Sequence, residues 1–303
     1  MAGSTRELKR RVRGVTSIRQ ITRAMELVSA AKMQRAVNAV TQSRRYAALA
    51  WDMLTSVTAK LGGKSHLLLS LRPRRHAMLI VLSSNNGLAG GYNTKVAEVA
   101  RAYEKTVREG SPEATVEVVT LGKKGRDYLV KRGSKLAAEF ERNDRESIVS
   151  QISPITELAM SGYVDETYDE VAVAYTDFVS TLKQEPRVRR LLPVATADET
   201  LGHTAHEYAE ETVASAETVH TFEPDVATVL DRLVPRLIEV QLYQALQESN
   251  ASEHAARMMA MRNASDAAKD LKEDLTLTLN QLRQSGITSE LAEISAGRMA
   301  LGA

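Results

Sequence analysis

Apolar residues recur in steps of three and four at both ends of the chain, whereas the middle changes to short continuous apolar runs separated by amphipathic segments. Near the start the stripe runs through Leu8, Val12, Val15, Ile18, Ile21, Met25 and Val28, then Met33, Val37 and Val40. Near the end it runs through Leu271, Leu275, Leu279, Leu282, Ile287, Leu291 and Ile294. This is the period of a helix with a narrow coiled-coil seam. From Asp225 to Ala300 the only proline is Pro235, and one helix over that stretch would run about 114 Å at about 1.5 Å per residue. A narrow seam on so long a helix needs a partner of similar length, and the simplest arrangement pairs the two termini as an antiparallel coiled coil. The plainer alternative is two amphipathic helices lying separately on one core.

The middle alternates in type. His76 to Ser83 is an apolar run suited to a buried parallel strand, followed by the turn SSNNGLAGGYN and a helix through Val96, Val99 and Tyr103. Thr115 to Leu121 reads as a strand, Lys123 to Lys131 as a helix, Lys135 to Phe140 as a weak strand, Ile148 to Met160 as a helix and Val171 to Phe178 as a strand. Val179 to Leu192 offers one more extended segment. Such alternation predicts a Rossmann-like doubly wound α/β domain inserted between the helices. The expected division is an N-terminal coiled-coil helix (1–62), an inserted α/β domain (68–195), an acidic linker (196–224) and a C-terminal coiled-coil helix (225–303).

Composition narrows the class. Aromatics make up only 4% of 303 residues, which suits Ala-, Leu- and Met-rich helix pairs better than a large globular core. The absence of cysteine excludes disulfide frameworks and thiol chemistry. No apolar run reaches 18 residues, and the start, MAGSTRELKRR, lacks a secretory core; a soluble, cytosolic chain is expected. The net charge of +2 conceals an asymmetry: residues 1 to 50 carry eleven Lys and Arg against two Glu, whereas residues 196 to 225 carry eight acids and no base. A basic helix can meet nucleic acid, anionic lipid or an acidic protein surface, and can also be a solvated face.

Candidate chemistry is thin. Gly87, Gly90 and Gly91 follow a strand and precede a helix, but they lack the dinucleotide spacing G-x-G-x-x-G and its downstream acid, so a structural turn is expected. TAKLGGKS (Thr58 to Ser65) ends like a phosphate loop, yet it has Thr58 where the first glycine belongs and no strand before it; Gly62 and Gly63 read as helix stop signals. His203 and His206 have no further ligand nearby. No nucleophile, base and orienter converge, and no catalytic residue, cofactor or metal is expected.

The specific signals lie on the helices. ITRAMELVSAAKM (Ile21 to Met33), ASEHAARMMAMRNASD (Ala251 to Asp266) and LRQSGITSELAEISAG (Leu282 to Gly297), with GLAGGYN, TDFVSTLKQEP and FEPD between them, resemble the gamma subunits of rotary F-type ATP synthases along nearly the whole chain. The resemblance implies a non-catalytic central rotor that turns inside three alpha and three beta subunits, with epsilon and the c-ring at its foot. Rotation of the asymmetric shaft couples ion flow to conformational cycling of the beta sites. It implies beta contacts at Arg19, Arg23, Met25, Lys32, Arg35, Arg283, Gln284 and Thr288, and foot-loop contacts at Asn85, Asn86, Gly87 and Gly90. It further implies a peripheral place on the cytoplasmic side of a bacterial cell membrane, reached only through the c-ring, and no nucleic acid. Departures from the family pattern are Asn85 and Asn86 for an acid and a base, Ala89 for Cys, Gly286 for Ala, and Arg298 for a small residue near an expected apolar bearing. A basic coiled coil that binds nucleic acid or acts as a scaffold is the alternative.

Overall fold

The structure, a computed structural model, describes residues 2–59, 67–143, 146–194 and 225–302. The acidic segment 196–224, with His203 and His206, and most of TAKLGGKS lie outside the described residues.

A first helix, α1, covers Ala2–Ala59. The α/β elements are β1 (His76–Leu82), α2 (Tyr92–Gly110), β2 (Thr115–Leu121), α3 (Lys123–Val130), β3 (Lys135–Phe140), α4 (Ile148–Val164), β4 (Glu170–Phe178) and β5 (Gln184–Leu192). A last helix, α5, covers Val226–Leu301 without interruption at Pro235. The ring at Pro235 removes one backbone donor and crowds the turn before it.

The sheet order is β3-β2-β1-β4-β5. The first four strands are parallel and β5 is antiparallel to β4. Strands added outward from β1 by α2 and α3, then on the other side of β1 after α4, give a doubly wound sheet with its switch point between β1 and β4. Alternation along β1 builds two cores. Ala77, Leu79 and Val81 pack with Val96, Ala97, Ala100 and Val107 of α2. Met78, Ile80 and Leu82 pack with Ile152, Ile155 and Tyr163 of α4, Leu54 and Val57 of α1, and Leu237, Leu242 and Leu246 of α5. The buried face of α2 runs through Val96, Ala97, Ala100, Glu104 and Val107; of the expected stripe Val96, Val99 and Tyr103, Val96 is buried and Tyr103 packs half-buried against the same core while donating to Glu170.

The chain forms two compact units, Met1–Ser29 with Arg257–Ala303, and Ala30–Ala256. In the first, the ends of α1 and α5 bury one another. A line of buried or half-buried positions on α1 includes Leu8, Val12, Val15, Arg19, Thr22, Glu26 and Ser29; one on α5 includes Met261, Ser265, Ala268, Lys272, Leu275, Leu279, Leu282 and Gly286. Both sets step by three and four, as a coiled coil requires. The predicted stripe is only partly the seam. Ile18, Ile21 and Val28 are more than half exposed, as are Leu291 and Ile294, while Leu271 and Ile287 are each 49% exposed. Thr22, Ser29 and Ser265 are buried along this line, and the bulkier Ile18, Ile21 and Val28 are turned outward. All of Glu290 to Met299 is exposed.

Candidate interaction surfaces

In open α/β sheets the crevice outside the carboxyl ends at the switch point is the usual ligand position. Here Ser83 to Gly91 leaves the carboxyl end of β1 and bonds toward the β2 and β3 side of it. Ser83 Oγ accepts from the Gly125 N–H at 2.9 Å and donates to the Gly122 carbonyl at 3.0 Å, so the β2–α3 turn lies directly on it. Gly122 has φ +108, and a Cβ there would stand 2.3 Å from the Ser83 carbonyl oxygen. Ser84 bonds to the Asn93 side chain and donates to the Asn86 carbonyl at 2.6 Å. Asn85 donates to the Arg142 carbonyl at 2.5 Å and accepts from the Lys123 N–H at 3.3 Å. The polar groups of Ser83, Ser84 and Asn85 are therefore spent on the loop and the turns beside it. Asn86, Gly87, Leu88 and Gly90 form its exposed tip, with Leu88 at φ 62 and Gly90 at φ 55. Asn85, half-buried and bonded inward, is set apart from the other three predicted foot-loop residues.

The predicted beta-contact residues divide between the units. In the paired helix ends Arg19 is half-buried beside the seam and its carbonyl accepts from Thr22 Oγ1 at 3.1 Å. Arg23 is exposed and pairs with the buried Glu26 at 2.7 Å. Met25 is half-buried between Ile21 and Val28 on the outward face, whereas Arg283, Gln284 and Thr288 are exposed. The Thr288 hydroxyl donates to the Gln284 carbonyl at 3.0 Å. In the other unit Lys32 and Arg35 are exposed and line an open recess of about 350 Å³ together with Asn143, Glu146, Asn250 and His254.

Sequence reasoning missed one cluster. Arg142, with Glu253 opposite, is 9% exposed against 7%; its guanidinium donates to Glu253, to Asn250 Oδ1 and, at 3.3 Å, to the Ser83 carbonyl. In the same turn of α5, Ser249 Oγ accepts from the Thr176 N–H at 3.2 Å and Ser252 Oγ donates to the Thr176 carbonyl at 3.1 Å. The available signal was polarity: Gln244, Gln247, Glu248, Ser249, Ser252 and Glu253 are all buried, so α5 here is enclosed on several sides while carrying side chains that demand partners.

At the opposite sheet edge Glu117 accepts from Tyr168 at 2.8 Å and from Lys135. The Lys135 bond, then the Tyr168 bond, hold the Glu117 carboxyl below the ordinary range. Burial, then the bond to Glu117, push the Tyr168 hydroxyl up to about 12. Among the described residues no group of three or more His, Cys, Asp and Glu could hold a metal ion, and no helix is long and apolar enough to cross a membrane.

Long terminal helices whose far ends pair with one another, with a doubly wound α/β domain inserted between them in sequence, define the class of chain. The family model described as ATP synthase matches residues 4–301. The chain is 43% identical over 300 residues to the ATP synthase gamma chain of Roseiflexus sp. (strain RS-1), covering 98% of each. It is 39% identical over 303 residues to that of Chloroflexus aurantiacus (strain ATCC 29366 / DSM 635 / J-10-fl), covering 98% of this chain and 99% of the relative. Its fold matches a chain in the cryo-EM structure of the Euglena gracilis mitochondrial ATP synthase rotor, with TM-score 0.62 and 17% identity over 95% of this chain and 100% of that one. The chain belongs to the ATP synthase gamma chain family.

Proposed function

We propose that the chain is the central rotor of an F-type ATP synthase, without a catalytic site of its own, turning inside three alpha and three beta subunits and standing on the c-ring with epsilon. The observation that carries this is 43% identity to a gamma chain across 98% of both sequences. Two features of the chain support it mechanically. The helix surfaces of the paired ends are cationic and partly apolar, and exposed ion pairs worth about 0.2–1 kcal/mol each break and reform without trapping a moving part. A ring subunit whose affinity for nucleotide differs between rotor orientations is shifted among its states by those differential contacts.

Arg19, Arg23, Met25, Lys32, Arg35, Arg283, Gln284 and Thr288 are the beta-facing residues in this reading, and Asn86, Gly87 and Gly90 the loop tip that meets the foot partners, with Asn85 bracing it. The divisions 1–62, 68–195, 196–224 and 225–303 are the rotor's shaft helix, foot domain, linker and second shaft helix. The rotor is peripheral, on the cytoplasmic side of a bacterial cell membrane, held there through the c-ring.

The test is co-purification of the tagged chain with alpha and beta subunits, native mass spectrometry and an ATPase assay with and without it. One copy per three alpha and three beta, inactive alone, is expected. Failure to join a hexamer, with salt-sensitive binding to DNA instead, would replace this reading with the basic coiled coil.

A further inference from the structure

Four residues of α5, Ser249, Asn250, Ser252 and Glu253, make every bond just described between that helix and Thr176 or Arg142, all within the unit Ala30–Ala256. Ser249 and Ser252 are three apart and lie on one line of the helix, while Asn250 and Glu253 are three apart on a second line, turned about 100° around the axis from the first. The first pair grips the backbone of Thr176 near the carboxyl end of β4. The second grips Arg142, whose guanidinium also holds the Ser83 carbonyl at the end of β1 and whose own carbonyl holds Asn85.

The apolar core beneath α5 favours contact without fixing an angle, because hydrophobic burial is non-directional. Hydrogen bonds have a narrow angular range. Two lines of them about 100° apart oppose rolling of the helix in either sense, since motion that relaxes one line strains the other. The Arg142–Glu253 pair is withdrawn from water on both sides, so loss of one partner leaves a buried charge.

We propose that the turn Ser249–Glu253 is the joint that passes torque between α5 and the α/β domain, with Arg142, Asn250, Ser249, Ser252 and Glu253 as its positioning residues. The inference rests on the rotor reading and names where in the chain the twisting load crosses from sheet to helix.

The experiment uses the assembled complex of this chain with alpha and beta subunits, fixed through the ring, with a bead on an exposed site of the α/β domain. In the wild type the bead rotates with ATP and pauses with a narrow angular spread. Arg142→Met, and separately the milder Ser249→Ala with Ser252→Ala, should widen the variance of that spread by about twofold or more, one of two bond lines having been removed. ATP hydrolysis should stay unchanged. Exchanging the partners, Arg142→Glu with Glu253→Arg, should recover part of the lost stiffness, an outcome that general destabilisation does not produce. Unchanged spread in both variants overturns the inference while leaving the rotor intact. Variants that no longer assemble also overturn it, assigning these bonds to folding alone. A wild-type bead that never rotates removes the rotor reading and this inference together.

Discussion

Four tyrosines are held protonated well into the alkaline range. Burial raises Tyr103, Tyr163, Tyr168 and Tyr175 above the ordinary phenol value, and Tyr168 reaches about 12. In the folded chain these hydroxyls keep protons that the unfolded chain releases near pH 10, so the unfolded state binds fewer protons and stability falls as pH rises. For Tyr168 that contribution is complete below about pH 10 and lost as pH passes 12. Absorbance titration should therefore show these four tyrosines releasing their protons above the ordinary phenol value, and a Tyr168→Phe chain should show one fewer such tyrosine. Release of these four near pH 10 would contradict the burial. Gly122 gives a sharper test. Gly122→Ala adds a Cβ within 2.3 Å of a buried carbonyl at φ +108 and should cost about 2 kcal/mol or more in urea unfolding; a change below about 0.5 kcal/mol, as for an ordinary surface site, would mean that the turn relaxes. Neither Gly122 nor Arg142 could be singled out from the chain alone. Each acts through a partner remote in sequence, Ser83 for the glycine and Glu253, 111 positions away, for the arginine.

At the scale of elements the alternation of apolar runs and amphipathic segments was sufficient for the sheet, because parallel strands buried on both faces leave an unmistakable continuous run, as at β1. It located every strand to within a residue or two except β5, where three arginines break the apolar pattern of an edge strand. The coiled coil was legible as a period and not as a phase. Two stripes of that period share α1, an apolar one through Ile18, Ile21, Met25 and Val28 and a polar one through Thr22, Glu26 and Ser29, and the buried one is the second. Gly286 belongs to the corresponding line on α5, yet a Cβ there meets nothing within 4 Å. Gly286→Ala should therefore add about 1 kcal/mol of helix stability without a clash. Hydrogen exchange across residues 283–289 would report this as several-fold greater protection; unchanged or reduced protection would mean that the seam needs the glycine. That gain is local to the paired ends, where Arg283 and Gln284 are carried.

Over the whole molecule the decisive quantity is the distribution of charge, because a net +2 predicts almost nothing about association. Eleven cations against two acids in the first 50 residues set up a field that extends about a Debye length, near 10 Å at 0.1 M salt. Most of these cations are exposed along α1, and the contact expected of them is with acidic surfaces of the ring. Exposed charges act more on encounter than on final affinity. Converting Arg19, Arg23, Lys32 and Arg35 to Gln should lower the melting temperature only slightly, as the pair of Arg23 with Glu26 spans one helix turn, is exposed on its arginine side and is worth about 1 kcal/mol. The same chain should associate with alpha and beta subunits about tenfold more slowly at low salt, and its rate should depend less on ionic strength than the parent's. Stopped-flow association at several salt concentrations separates the cases. Parallel salt curves for parent and variant would show that the basic helix is a solvated face, and would move the search for ring contacts to the outward apolar line through Ile18, Ile21 and Val28, whose exposure is otherwise without a partner in the chain's own paired ends.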